Sequence, residues 1–67
     1  MMTTAIELHT YQRGERKSKV WKDLEGFYVE FYIGGKLVEK RALYEHSEVY
    51  AENAAENFVD EVMTLHG

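Results

Sequence analysis

Phe27-Tyr28-Val29-Glu30-Phe31-Tyr32-Ile33-Gly34-Gly35-Lys36-Leu37-Val38-Glu39-Lys40-Arg41-Ala42-Leu43 reads as two strands folded back around a tight turn. Aromatic and β-branched residues dominate its first half, and Gly34-Gly35 offers two positions free to take positive φ, the mark of a two-residue hairpin. With that turn, Ile33 opposes Lys36, Phe31 opposes Val38 and Phe27 opposes Ala42. Side chains alternate between faces, so Phe27, Val29, Phe31, Val38 and Ala42 form an apolar side. Tyr28, Glu30, Tyr32, Leu37, Glu39 and Arg41 form the other. A three-residue loop would flip the second strand and exchange its faces.

Outward from the hairpin, Ile6 to Tyr11 alternates as a first strand. The run Arg13-Gly14-Glu15-Arg16-Lys17-Ser18-Lys19 is polar, basic and aperiodic, and is expected to be a loop. Val20-Trp21 adds a short extension before a turn at Asp23-Leu24-Glu25-Gly26. After the hairpin, Ser47 suits a helix N-cap, and Glu48 suits the positive end of the helix dipole. The spacing predicts a helix from about Glu48 to Leu65. Ala51, Ala54, Ala55, Phe58, Val62 and Leu65 lie on its apolar face, with Val59 and Met63 at the flank. The expected fold is α+β, with a three-stranded antiparallel sheet packed on one C-terminal amphipathic helix in the order β-β-β-α.

At 67 residues the chain makes one domain, 1–67. It has no cysteine, so disulfides and thiolate metal sites are excluded, and nine aromatic residues supply buried area instead. Met1 to Thr10 lacks the basic region and apolar run of a signal peptide. No segment approaches the roughly 18 apolar residues of a membrane span, so a cytoplasmic location is expected.

Catalytic constellations are missing from this reading. Ser47 is better explained as a cap than as a nucleophile beside His46, because adjacent side chains seldom converge. His9, His46 and His66 lack ligand spacing, and no metal or cofactor is expected. Glu30 and Glu39 should face each other across the hairpin, as a solvated pair relieved by Lys40 and Arg41. The chain is therefore expected not to be an enzyme.

The net charge of −4 is unevenly distributed: every Lys and Arg lies between Arg13 and Arg41, and six acids follow Ala42. Two surfaces stand out. Glu48, Glu52, Glu56 and Asp60 recur every fourth residue as an acidic ladder with no Lys or Arg among them, a face for a basic protein partner. Tyr28, Tyr32 and Arg41, bordered by Trp21, Arg16, Lys17 and Lys19, combine rings and cations as nucleic-acid-binding surfaces do, although the overall acidity opposes that reading. Tyr28, Tyr32 and Leu37 also make an apolar outer face on which a homodimer would form.

Gly26 to Phe31 followed by Tyr50 to Asp60 resembles small uncharacterised proteins encoded by tailed phages of marine cyanobacteria. That resemblance implies a phage-encoded accessory factor acting in the host cytoplasm. The family carries no agreed activity, so it transfers no site residue. The primary expectation is a non-catalytic protein that binds a host protein through the acidic helix face. Three strands followed by a helix is also similar to the arm-binding domains of integrases and to a plant class of DNA-binding domains. Those families place Arg and Trp on the sheet, where this chain has Tyr28, Tyr32 and Arg41 with two glutamates between.

Overall fold

A computed structural model describes residues 5–60. Four strands follow one another at ten-residue intervals: β1 (Ile6–Arg13), β2 (Arg16–Asp23), β3 (Gly26–Ile33) and β4 (Lys36–Leu43). They form one antiparallel sheet in the order β1-β2-β3-β4, and helix α1 (Glu48–Val59) packs across it. The sheet therefore has four strands where three were expected. The basic run expected as a loop supplies the end of β1, the turn at Gly14-Glu15 and the first half of β2, a strand paired along its whole length with β3 from Arg16↔Ile33 to Asp23↔Gly26.

β2 escaped the hydrophobic pattern because its helix-facing positions include Ser18 as well as Val20, both fully buried. Ser18 lies fully buried between β2 and the helix, and its Oγ donates to the Ala55 carbonyl at 2.8 Å. A small side chain fits that gap, and the hydroxyl is satisfied without water. On the other side of the strand, lysine ammonium groups lie over aromatic rings: that of Lys17 is 5.3 Å from the Tyr32 centroid. Such side chains can be basic and still half-buried.

The hairpin forms about Gly34 and Gly35, at φ 60° and 86°. Ile33 opposes Lys36 as expected, but the register slips after Tyr32↔Leu37, so Phe31 opposes Glu39 and Phe27 opposes Leu43. Val38 is the extra residue. This bulge does what a longer loop would have done and turns the rest of β4 over. Val38 and Ala42, expected in the core, are exposed, and Leu43 is buried in their place. Glu30 now pairs with Lys40, and Glu39 lies on the opposite face of the sheet.

Val29 and Phe31 face the helix as expected. Phe31 stacks on Phe58 with centroids 4.4 Å apart, and Ala51, Ala54, Ala55 and Val59 close the core around them. The alanines let the helix approach the sheet, so burial of the two phenylalanines excludes water efficiently. Ser47 caps the helix by accepting from Tyr50 N at 3.2 Å. The C-terminal end has no basic residue of its own, and Arg16 of β2 supplies one by donating to the Phe58 carbonyl at 3.2 Å. Val62, Met63 and Leu65 lie outside the described residues. Among those described, no helix is long and apolar enough to cross a membrane.

Gly26 starts β3 at φ 136°, and a Cβ there would stand 3.0 Å from the Tyr44 carbonyl oxygen. Gly26→Ala should destabilise the fold by about 1–3 kcal/mol through backbone strain. Ser18→Ala should cost about 0.5–1.5 kcal/mol, the net worth of one buried hydrogen bond. Urea unfolding measures both. An unchanged midpoint in Ser18→Ala would remove the serine from the account of helix docking.

Candidate functional site

The two surfaces expected from sequence have different fates. The acidic ladder does not face solvent unpartnered. β1 runs beside it, and His9 Nε2 lies 3.0 Å from Glu48 Oε2 and 2.8 Å from Glu52 Oε2. Further along, Arg13 Nε meets Asp60 Oδ1 at 3.0 Å. Three of the four acids thus lie against His9 or Arg13 of the first strand. The ladder's positions reflect this seam, which weakens the premise of a free acidic face awaiting a basic partner.

His9, Glu48 and Glu52 bring three ligand atoms within 4.8 Å of one another, a spacing absent from the linear sequence. All three residues are partly exposed, and the imidazole lies within ion-pair distance of both carboxylates. The hydrogen bond to Glu48 raises the His9 pKa above its ordinary 6.5, helped by the charges of Glu52 and Glu48. The same bond lowers the Glu48 carboxyl below 4.5.

The second surface is the sheet face turned away from the helix. Here the alternation of β2 and β3 brings Lys17, Lys19, Trp21, Tyr28, Glu30 and Tyr32 together, and the β4 bulge adds Lys40. Arg16 and Arg41, expected on this face, are on the other. Arg16 lies over the Phe58 ring at 4.8 Å, and Arg41 lies over Phe31 at 5.4 Å while its Nε donates to Glu39 Oε2 at 2.8 Å. The Arg41 displacement follows directly from the bulge. Lys40, its neighbour in sequence, takes the outer position, and a bulge is a signal that side-chain alternation alone does not announce.

Glu30 organises this face. Its Oε1 accepts from Trp21 Nε1 at 2.8 Å and from the Tyr32 hydroxyl at 2.9 Å. Burial, with the Glu30 bond adding to it, raises the Tyr32 pKa and keeps the phenol a donor. The ammonium groups sit over rings: Lys19 is 6.0 Å from Trp21 and 5.7 Å from Tyr32, and Lys40 is 4.5 Å from Tyr28. Lys19 also approaches Glu7 Oε1 at 3.6 Å. Trp21 and Tyr28 stack across the strands, their planes 6° apart and centroids 6.2 Å apart. Tyr28 is only 8% exposed, so it supports the face, and Trp21 and Tyr32 are the rings a ligand would meet. A cavity lined by Ala42, Leu43, Tyr44, Glu45 and His46 includes none of these rings.

The His9 seam predicts a pH dependence of known sign. A raised histidine pKa stabilises the fold fully below the unfolded value near 6.5, and that contribution fades as pH rises through the folded value. The lowered Glu48 pKa contributes above 4.5 and is lost as pH falls through its folded value. Stability from this pair should therefore peak between about pH 4.5 and 6.5. Urea midpoints across pH 4 to 9 would measure it, and His9→Gln should flatten the decline on the alkaline side. A parallel profile for the variant would exclude His9 as its source. Comparison of the chain with protein-family models, curated proteins and solved structures returns no match.

Proposed function

We propose that the protein is a binding module for single-stranded nucleic acid, held on the sheet face opposite the helix. One observation carries this reading: two half-buried rings, Trp21 and Tyr32, share that face with the ammonium groups of Lys17, Lys19 and Lys40. Bases stack on aromatic side chains whatever their sequence, and cations beside the rings pair with the phosphates between bases. A flat sheet accepts unstacked bases, whereas the bases of a duplex already stack on each other.

The net charge of −4 does not oppose this reading as it does in the bare sequence. The helix carries Glu48, Glu52, Glu56 and Asp60 on the far side of the sheet, partly neutralised by His9 and Arg13. A strand on the open face meets three lysines and two acids, Glu7 and Glu30, both already bonded to neighbouring donors. Such a polarised molecule would orient its basic side toward a polyanion.

Trp21 is the chain's only tryptophan, so its fluorescence reports on the site directly. Titration with a single-stranded oligonucleotide at about 50 mM salt should quench it. Three phosphate contacts predict a log–log salt slope of about −2, and Lys17→Ala should reduce it by nearly one. Tyr32→Ala should weaken binding by removing a stacking platform of about 1–3 kcal/mol. Unchanged fluorescence with every strand would rule the function out, and a preference for duplex would rule out the stacking mode.

A further inference from the structure

The geometry points to Glu30 as a base-selecting residue, one that favours guanine among the bases stacked on the open face. This rests on the proposed binding of single strands there. Glu30 lies in the middle of the face, on β3, with Lys19 opposite it on β2 and Lys40 opposite it on β4. Trp21 Nε1 and the Tyr32 hydroxyl both donate to its Oε1, which uses both lone pairs of that oxygen. The carboxylate is therefore fixed in orientation, between the two rings on which bases would stack. No hydrogen-bond donor among the described residues reaches Oε2. The second oxygen of this oriented carboxylate is thus left without a donor among the described residues and can accept from a ligand.

A carboxylate can only accept, so it distinguishes bases by the donors along their Watson–Crick edges. Thymine and uracil present one N–H between two carbonyl oxygens, both of which a carboxylate repels. Cytosine and adenine each present an amino group beside a ring nitrogen acceptor. Guanine alone places two donors side by side, N1–H and the N2 amino group, with its single acceptor, O6, at the far end. Both can reach one oxygen. A polar group that is satisfied by one ligand and left unpaired by another discriminates more strongly than apolar packing does.

The Lys19 and Lys40 ammonium groups do not cancel this preference. Each is held over a ring, Lys19 at Trp21 and Tyr32 and Lys40 at Tyr28, where it is placed to meet phosphate. Base reading and backbone binding are then separate tasks for separate side chains, as they are in other nucleic-acid interfaces.

The test is a set of Trp21 fluorescence titrations with three strands: oligothymidine, the same length with guanine at alternate positions, and that strand with inosine replacing guanine. The guanine strand should bind about tenfold more tightly than oligothymidine, the discrimination expected of a paired set of hydrogen bonds. Inosine lacks the N2 amino group and should lose most of that advantage in the wild-type protein, a comparison that needs no variant. Glu30→Gln keeps one oxygen to hold Trp21 and Tyr32 but places an amide donor where Oε2 was. The ratio of guanine-strand to oligothymidine affinity should then fall to about one. Equal wild-type affinity for all three strands would overturn the role of Glu30 and leave single-strand binding intact. A preference that survives in Glu30→Gln would do the same. Failure of every strand to bind would overturn both.

Discussion

The contact between β2 and the helix decides what is inside and what is outside. Ser18 and Val20 are fully buried beneath the helix, and the Ser18 hydroxyl ties β2 to the helix backbone at Ala55. The next positions across, Val29 and Phe31, continue the same layer to Phe58. Because strand side chains alternate, fixing Ser18 and Val20 inward sends Lys17, Lys19 and Trp21 outward, and β3 follows with Tyr28, Glu30 and Tyr32. The aromatic and basic face is in this sense a consequence of how closely an alanine-lined helix can approach a serine.

The same alternation explains what could be read from the chain. The glycine hairpin, the Ser47 cap and the helix-facing set of Ala51, Ala54, Ala55 and Phe58 rest on local chemistry, and each is where its residues suggest. β2 was hidden because its inner face is only partly apolar and its outer face is lysine, which looks like a loop until the rings beneath the lysine ammonium groups are known. The β4 faces were hidden for another reason: Val38 is inserted by a bulge, and one inserted residue inverts everything after it. That slip moved Arg41 off the candidate face and brought Lys40 onto it.

Charge is distributed by layer, not by segment. Along the chain every Lys and Arg precedes the six acids that follow Ala42, but in space His9 and Arg13 meet the helix acids at β1, and Arg16 meets the helix C-terminal end. These contacts give the helix the counter-charges that its own sequence lacks. Individually, such exposed pairs contribute little to stability. Their larger effect is to fix which side of the molecule is electrostatically quiet.

The two bulges fall on the two outermost strands, Leu8 in β1 and Val38 in β4. An uninterrupted border strand exposes a straight row of amides and carbonyls that any extended polypeptide can join, and this sheet has no proline to interrupt it. A kink in each border breaks that row into short lengths. Strand addition at either border, the first step of lateral growth into fibres, is discouraged by that interruption.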